Sequence, residues 1–408
     1  MTDEDGDGVF EREIEIPVGN VEFKYTLCNE PESEMFSGGE SCTNQTGTYI
    51  NRRLEGGVAD IILDAVCFQS SGACAGRAVE PYVNQLQRCA GEPGLTPVIQ
   101  ATERGLYQGE SLLHWKGVAW NPYGVNEGPG ANPPPWRDAV DQDTELMVSA
   151  GIDTVRTYGV IPDREVLDTL HARGIGVLMT VFYGYGDTPT TAVSNVCSLK
   201  DHPAIIGWLV GNEWNYNNLG RNVGFDEAAD AVEQVVRAIK LNDNTRPVST
   251  VYGGLPEMGL LACMSEVDVW GLNVYTGASF GSLFEQWAAR SQKPMYFGEY
   301  GADAFDTRIG AENETYQADI VGTLTSEIHA HSVRVGGVCT GGMVFEFSDE
   351  WWKFSGGSWG GHDTQSSWEN GAYADAGMQE EWWGLVRMDR TPRDALTRYG
   401  TLQPPTVP

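Results

Sequence analysis

Eight apolar segments alternate with eight segments of helical periodicity between residues 112 and 400. Several of the apolar segments lack the polar alternation of a half-exposed strand, as expected for strands buried on both faces. Strands that alternate regularly with helices predict a parallel sheet covered by helices. The eight predicted pairs are LLHWKGVAW with WRDAVDQDTELMVSA, GIDTVRTYG with DREVLDTLHARG, GVLMTVFY with TTAVSNVCSL, AIIGWLVGNE with FDEAADAVEQVVRAIK, RPVSTVY with LPEMGLLACM, DVWGLNVY with GSLFEQWAARS, KPMYFGEYG with ENETYQADIVGTLTSEIHAH, and GGMVFEF with TPRDALTRYG.

Eight such units over about 290 residues predict an α/β fold of the (β/α)8 or TIM barrel type. Residues 1–68 instead contain short alternating strand patterns, such as VEFKYTLC and TYINRRLEGG, and predict a small β-sandwich-like domain. This segment is short for a sandwich, so an N-terminal strand is expected to be missing. We therefore predict an accessory domain at 1–68, a linker at 69–110 and a catalytic barrel at 111–408.

The charge balance excludes some classes of partner. The 408-residue chain has 57 acidic and 26 basic residues, a net charge of −31, and only six of the basic residues are lysines. Nucleic-acid binding needs a basic face, so we expect no nucleic-acid partner. No apolar run is long enough to cross a membrane. An acidic, lysine-poor surface fits either a salty habitat or an acidic secreted protein.

The eight cysteines indicate an oxidising compartment, because four of them lie within residues 28–74 at loop-like spacings. We expect the pairs Cys28–Cys42 and Cys67–Cys74, although spacing alone does not determine connectivity. The protein is therefore expected to be extracellular or periplasmic. Residues 1–20 lack the basic start and apolar core of a signal peptide, so any such signal is expected upstream.

No metal or cofactor is expected. The sequence has no Cys-x-x-Cys pair and no His-x-x-x-His pair, which argues against a zinc site. The stretch DEDGDG at residues 3–8 matches the opening of an EF-hand loop, but Ile14 stands where the bidentate glutamate belongs. An acidic turn is the better interpretation.

The residues that end the predicted barrel strands indicate the chemistry, because catalytic groups of such barrels lie at the carboxyl ends of the strands. These ends carry carboxylates, aromatic rings, amides and one arginine. The sequence shows no Ser–His pair or phosphate-binding loop that would indicate a different chemistry. Sugar chemistry uses this set: aromatic platforms, partners for hydroxyl groups and two carboxylates. The strand-end residues are Trp120, Asn121, Arg156, Thr157, Tyr158, Tyr183, Asn212, Glu213, Trp214, Asn273, Tyr275, Glu299, Tyr300, Glu346, Asp349, Glu350, Trp351 and Trp352.

Two of the carboxylates stand out by position. Glu213 ends the fourth strand and Glu299 the seventh, and these strands face each other across the mouth of an eight-stranded barrel. A retaining glycosidase needs two carboxyl groups about 5–5.5 Å apart, one as nucleophile and one as acid/base. The alternative is that each glutamate is a rim charge paired with an arginine.

Asn-Glu at the fourth strand and Glu at the seventh resemble clan A glycoside hydrolases. FGEYGAD (297–303) is similar to the nucleophile region of glycoside hydrolase family 2 and to the FSEYG region of family 72, the β-1,3-glucanosyltransferases. TVRTYGVIPDREVLDTLHARGI resembles the second and third units of both families. MVFEFSDEWWK and EEWWGLVRMD look like bacterial family 2-type barrels. The segments NRRL and GGESCT resemble modules appended to marine polysaccharide-degrading enzymes, which leaves a carbohydrate-binding role and a structural cap open for the N-terminal domain.

The resemblance implies that Glu213 is the acid/base and Glu299 the nucleophile. It implies that Asn212 binds the sugar 2-hydroxyl, while Tyr275 and Arg156 keep Glu299 ionised. Glu213 must be protonated to act as an acid, and Trp214 could supply a dry setting for it. The full set predicted to bind substrate is Arg156, Tyr158, Tyr183, Asn212, Trp214, Tyr275, Glu346 and Trp351. Trp351 is the expected sugar platform, and Glu346 is expected to face inward.

We therefore expect a retaining β-glycoside hydrolase that acts on a polysaccharide, with β-1,3-glucan of the laminarin type as the first candidate. Transfer to a sugar hydroxyl instead of water would turn the same chemistry into transglycosylation. The alternatives are a glycosidase for another β-linked marine glycan, such as a galactan, and a non-catalytic glycan-binding barrel. The expected partner is a β-glycan, and the expected oligomeric state is a monomer.

Overall fold

The structure is a computed structural model that describes residues 19–23, 43–46, 49–56, 89, 97–129, 134–220, 223–354 and 357–407. The chain divides into two compact units, Met1–Leu86 and Gln87–Pro408. In the first unit, β1 (Gly19–Phe23), β2 (Thr43–Thr46) and β3 (Tyr49–Gly56) form an antiparallel sheet in the order β1-β3-β2. The β-sandwich remains a prediction, since most of this unit lies outside the described residues. The same holds for the DEDGDG turn and for the pairs Cys28–Cys42 and Cys67–Cys74.

The second unit is built around a closed barrel of eight parallel strands, which confirms the predicted (β/α)8 fold. Its strands are β7 (Trp115–Ala119), β8 (Thr154–Arg156), β9 (Gly176–Phe182), β10 (Ile205–Asn212), β11 (Val248–Gly253), β12 (Val269–Asn273), β13 (Met295–Tyr300) and β16 (Cys339–Val344). Each lies within, or extends at most two residues beyond, one of the eight apolar segments, and nearly all of their residues are buried.

Helices follow the barrel strands at all eight segments whose periodicity predicts them. They are α1 (Trp136–Ser149), α2 (Arg164–Ala172), α3 (Pro189–Leu199), α4 (Trp214–Asn217), α5 (Phe225–Lys240), α6 (Met258–Cys263), α7 (Leu283–Arg290), α8 (Glu314–Ala330) and α9 (Asp394–Thr401). Of these, the short α4 is an additional helix directly after β10. Several begin at conventional caps: the Asp163 side chain accepts from the Glu165 amide, and Thr188 and Thr191 form a capping box ahead of α3. None of the described helices combines the length and apolar character needed to span a bilayer.

Short strands complete the unit. The pairs β14 (Phe305–Asp306) with β15 (Ala311–Glu312) and β17 (Trp368–Glu369) with β18 (Gly377–Met378) lie in the loops after β13 and β16. Three further strands, β4 (Ile99–Thr102), β5 (Gly105–Gln108) and β6 (Ser111–Leu112), form an antiparallel sheet directly before the barrel. β4 and β5 fall at the end of the segment predicted as a linker, and β6 falls at the start of the predicted barrel segment. The strands are too short for alternation to reveal them.

The β4–β6 sheet packs against the barrel near the amino ends of its strands. Ile99 and Leu106 join Trp115, Tyr296 and Met343 in one buried apolar cluster. The Ile99 amide donates to the carbonyl of Thr245, just before β11, at 2.8 Å. Gly117 in β7 makes this packing possible, because a Cβ at that position would lie 2.0 Å from the Met343 sulfur. The amino end of the barrel is therefore a packed, apolar region.

A disulfide joins Cys89 to Cys197 in α3, across 108 residues of sequence. The backbone amide of Cys89 also donates to the Asn242 side chain at 2.7 Å. The bond attaches the segment that precedes the β4–β6 sheet to the outside of the barrel. The sequence predicts disulfides in general, but it does not indicate this pairing.

Candidate active site

A cavity of about 1090 Å³ opens at the carboxyl ends of the barrel strands. Glu213 and Glu299 both line it, as do four of the other residues predicted to contact substrate: Tyr158, Tyr183, Asn212 and Tyr275. The barrel thus brings together side chains that are up to 141 positions apart in the sequence. Its remaining walls come from the loops after β7, β8, β10, β11, β12 and β16.

Glu299 is held by three donors. It is the fifth residue of β13, and its side chain is only 8% exposed. One carboxylate oxygen accepts from Arg156 Nη1 at 3.0 Å and from the Tyr158 hydroxyl at 2.8 Å, and the other accepts from the Tyr275 hydroxyl at 2.8 Å. These contacts pair the charge of the carboxylate and fix the direction in which it faces the cavity.

Arg156 is fully buried beneath the cavity floor and connects two of the lining side chains. Its Nη2 donates to Asn212 Oδ1 at 2.6 Å, while its Nη1 reaches Glu299 and also donates to the Gly298 carbonyl at 2.7 Å. Arg156 does not line the cavity, although it was predicted to contact substrate. It instead holds Glu299 and Asn212 in position. One planar guanidinium thereby sets the spacing between β10 and β13 at the active end.

Glu213 has a different setting. It directly follows β10, just after a register irregularity between Val210 and Asn212, and adopts a left-handed backbone conformation with φ of 47° and ψ of 33°. Such a conformation costs a non-glycine residue roughly 1–3 kcal/mol and is characteristic of functional sites. Burial, followed by the nearby charge of Glu299, raises the pKa of Glu213 to about 7. The side chain can therefore hold a proton near neutral pH.

Two asparagines complete the floor between the carboxylates. Asn212 Oδ1 accepts from Arg156 and, at 3.2 Å, from Asn273 Nδ2, and the Asn212 amide also hydrogen-bonds Tyr183. Both asparagines line the cavity, where polar groups are available to sugar hydroxyls. Asn273 ends β12, as the sequence indicated, although its contact with Asn212 was not predicted.

Three residues predicted to bind substrate lie behind the cavity wall instead. Trp214 is buried and donates from Nε1 to Thr250 Oγ1 at 2.9 Å. It lies next to Glu213 in the sequence and adds an apolar ring behind the wall, but it does not line the cavity. Glu346 is 1% exposed, and burial, followed by the charge of Glu350, raises its pKa well above the usual value. Trp351 donates to the Glu127 carbonyl at 3.0 Å and packs edge-on against Trp352.

The cavity wall also contains residues outside the predicted set. Trp352, not Trp351, lines the cavity, and the loop after β16 contributes several further side chains. The crowding of tryptophans between residues 351 and 383 indicated that this loop contributes to the wall. It did not indicate which tryptophans face the cavity, because neighbouring residues of an irregular loop point in different directions. The additional lining residues with polar or aromatic side chains are Asn121, Tyr123, Trp136, Tyr216, Thr276, Phe345, Glu350, Trp352, Lys353, Trp368, Asn370, Glu380 and Trp383.

No group of three or more His, Cys, Asp or Glu side chains with the geometry of a metal site occurs in the part of the chain that the structure describes.

Comparison with solved structures finds the same fold in proteins of low sequence identity. A β-glucuronidase from Ruminococcus gnavus in complex with uronic isofagomine has a TM-score of 0.56 at 16% identity, covering 75% of this chain and 53% of that one. A family 2 β-galacturonidase from Eisenbergiella tayi bound to galacturonate has a TM-score of 0.54 at 18% identity, covering 76% of this chain and 55% of that one.

The relatives found by sequence similarity carry a different name from these solved structures. A 1,3-beta-glucanosyltransferase of Candida albicans is 24% identical over 277 residues, covering 58% of this chain and 56% of that protein. A 1,3-beta-glucanosyltransferase of Saccharomyces cerevisiae is 23% identical over 293 residues, covering 62% of this chain and 57% of that protein. The chain spans a little over half the length of these relatives.

The family model described as glycosyl hydrolases family 2, TIM barrel domain, matches residues 190–403, more than half of the chain. The matched segment begins in α3 and includes Glu213, Glu299 and the loop after β16 that lines the cavity. Together with the closed barrel and the two cavity-lining glutamates, this match shows that the chain belongs to the family 2 glycosyl hydrolases with a TIM barrel domain.

Proposed function

We propose that the protein is a retaining β-glycoside hydrolase in which Glu299 is the nucleophile and Glu213 the acid/base. The observation that carries the proposal is the contrast between two glutamates in one cavity. Glu299 is surrounded by three donors, whereas burial and the charge of Glu299 raise the pKa of Glu213 to about 7. Carboxyl groups with such divergent environments are suited to opposite roles.

In the first step, Glu299 forms a bond to the anomeric carbon as the glycosidic bond breaks, and Glu213 gives its proton to the departing oxygen. In the second step, a water molecule attacks the same carbon and gives a proton back to Glu213 while the bond to Glu299 breaks. A sugar hydroxyl in place of water would give transglycosylation. Asn212, oriented by Arg156 and Asn273, is placed to hydrogen-bond the sugar in both steps.

The first substrate candidate is a β-1,3-glucan, supported by the two relatives named 1,3-beta-glucanosyltransferases. Other β-linked glycans, including galactans, are the alternative. The Cys89–Cys197 disulfide supports an extracellular or periplasmic location. We also propose residues 1–68 as an accessory domain, residues 69–110 as a linker and residues 111–408 as the catalytic barrel, in a monomer.

The non-catalytic alternative is a glycan-binding barrel that has lost turnover. The presence of both glutamates at the cavity disfavours it, since either one is dispensable in a binding protein. Turnover on a panel of β-glycans, followed by product sizing, decides between the two and identifies linkage, endo or exo action, and transfer.

The decisive variant is Glu299→Gln, which keeps the shape of the side chain but removes its nucleophilic charge. We expect turnover to fall by at least about three orders of magnitude, because formation of the covalent intermediate depends on this group. Glu369→Gln, on the exposed strand β17, changes the net charge equally and should keep full activity. A fully active Glu299→Gln protein would refute the nucleophile assignment.

Stereochemistry tests the retaining mechanism separately. NMR of the first-formed product should show the β-anomer. An α-anomer would indicate inversion, a mechanism that needs carboxyl groups about 6.5–9.5 Å apart.

A further inference from the structure

A charged cluster on the cavity wall lies beside the proposed catalytic pair. It consists of Glu350, Lys353 and Glu380, all of which line the cavity. Lys353 Nζ lies 3.1 Å from Glu350 Oε2 and 3.8 Å from Glu380 Oε2. Among the described lining residues, Lys353 carries the only positive charge, while Glu213, Glu299, Glu350 and Glu380 are acidic.

The cluster is held in place from several sides. Asn121 donates to Glu350, Trp368 Nε1 donates to Glu380 Oε1 at 2.7 Å, and the Lys353 ammonium lies 4.9 Å from the centre of the Phe345 ring. The cluster is therefore built into the wall and is not a set of mobile surface charges, although Lys353 and Glu380 remain 34% and 26% exposed.

Electrostatic interactions connect the cluster to the catalytic pair. Burial lowers the pKa of Lys353, but the carboxylates of Glu350, Glu346, Glu380 and Glu299 outweigh burial and raise it. The charge of Glu380 also contributes, after burial and Glu299, to the raised pKa of Glu213. Lys353 is thus cationic and already paired, and even with Glu213 protonated the lining carboxylates Glu299, Glu350 and Glu380 outnumber this one cation.

We propose that Glu350, Lys353 and Glu380 determine specificity by selecting uncharged sugars and excluding glycans that carry carboxylate or sulfate groups near the cleaved bond. This inference rests on the proposed function and narrows its substrate class. The cation that could have received an anionic sugar is occupied by two protein carboxylates. An anionic substituent entering the cavity would lie among like charges, and like-charge juxtaposition is an effective means of rejecting a wrong ligand. Hydroxyl groups, in contrast, can bond to the ammonium and to both carboxylates.

The test compares matched neutral and anionic ligands. One pair is 4-nitrophenyl β-D-glucoside and 4-nitrophenyl β-D-glucuronide, and the other is laminarin and laminarin oxidised at C6 to the uronate. Wild-type kcat/KM should favour the neutral member of a pair by at least about tenfold, because of the charge repulsion described. The preference should shrink as salt is raised, since screening weakens interactions between partly exposed charges.

The Glu380→Gln variant should shift the ratio towards the anionic member by about tenfold, because it frees Lys353 from one carboxylate. Trp368 can still donate to the amide oxygen of the new side chain, so the loop keeps its anchor. Glu369→Gln is the matched control on the same loop and should leave the ratio unchanged. Lys353→Met should strengthen the rejection of the anionic member.

The outcomes separate this inference from the proposed function. Equal or better turnover of the anionic ligand by the wild-type protein would overturn the inference while leaving the glycosidase assignment intact. An unchanged ratio in both Glu380→Gln and Lys353→Met would also overturn it. Failure to cleave either member of both pairs, and any other β-glycan, would refute the proposed function and, with it, the inference.

Discussion

The two ends of the barrel are built from the same eight strands but differ in chemistry. At the amino end, Leu106 of the β4–β6 sheet joins a buried apolar cluster with Trp115 and Val269, the first residues of β7 and β12. At the carboxyl end, the strands terminate in Arg156, Asn212 and other polar groups around an open cavity. In this fold, packing at the amino end is expected to serve stability, and the carboxyl end is where we propose that the chemistry takes place.

The largest effect on activity should come from replacing Arg156, the buried arginine at the carboxyl end. Arg156→Met removes donors from both Glu299 and Asn212, so we expect kcat/KM to fall by about 10³–10⁴-fold. Initial rates with a β-glycan that the wild-type protein cleaves, normalised to folded protein by circular dichroism, measure this loss.

The matched control is a buried arginine at the opposite end. Arg246, just before β11, pairs with Asp243 at 2.9 Å with both side chains buried. Arg246→Met should destabilise the fold by about 3–5 kcal/mol, because it leaves a buried charge without this partner. It should leave kcat/KM of the folded fraction within about twofold of the wild-type value. Equal kinetic losses in the two variants would show that the ends are not functionally distinct.

The second prediction probes the packed end. Leu106 is fully buried between the β4–β6 sheet and the barrel, so Leu106→Ala should lower the free energy of unfolding by about 2–5 kcal/mol. Urea denaturation measures the change, and kcat/KM below the transition should stay at the wild-type value. Val98→Ala, at an exposed position beside the same sheet, should change stability by less than about 0.5 kcal/mol. If Leu106→Ala lowered the free energy of unfolding no more than Val98→Ala, the packing of this sheet would not stabilise the barrel.

The third prediction concerns the folding stability lost by burying Glu213 at the carboxyl end of the barrel. The pKa of Glu213 rises from 4.5 to about 7 on folding, so between these values the folded protein holds a proton that the unfolded chain has released. Stability therefore falls as pH rises through this window and stays reduced above it. Glu213→Gln should remove the penalty and stabilise the protein by about 1–3 kcal/mol at pH 8.

The pH dependence provides the internal control for this variant. At pH 4 the glutamate is protonated in the folded state and largely protonated in the unfolded state, so the gain from Glu213→Gln should nearly vanish. Chemical denaturation of both proteins at pH 4, 6 and 8 gives the difference directly. A gain independent of pH would mean that the cause is packing and not the titration of Glu213.

The two ends also differ in how far the sequence predicts them. The eight strands and their helices follow from burial and periodicity, and a barrel places the residues that end its strands around one mouth. For this reason Glu213, Glu299, Asn212 and Tyr275 meet at the cavity. The β4–β6 sheet was missed because its strands are short.

The loop after β16 shows where sequence patterns stop being informative. Trp351 and Trp352 are adjacent and chemically identical, yet one donates to the Glu127 carbonyl and the other lines the cavity. Neither strand nor helix periodicity applies to such a loop, so the direction of each side chain depends on the path of the backbone. The same reason explains why the contacts of Lys353 with Glu350 and Glu380 were not predicted.

The smallest predicted effect separates these two tryptophans. Trp352 packs edge-on against Tyr123 with ring centroids 5.0 Å apart, and both rings line the cavity. Trp352→Ala should raise KM for oligosaccharides by about fivefold to tenfold with little change in kcat, because an aromatic contact is worth about 1 kcal/mol. Trp351→Ala should change KM less and stability more, since its ring packs behind the wall. If Trp351→Ala had the larger effect on KM, the sugar platform would be the residue that the sequence first indicated, and the side of the loop that faces substrate would be reversed.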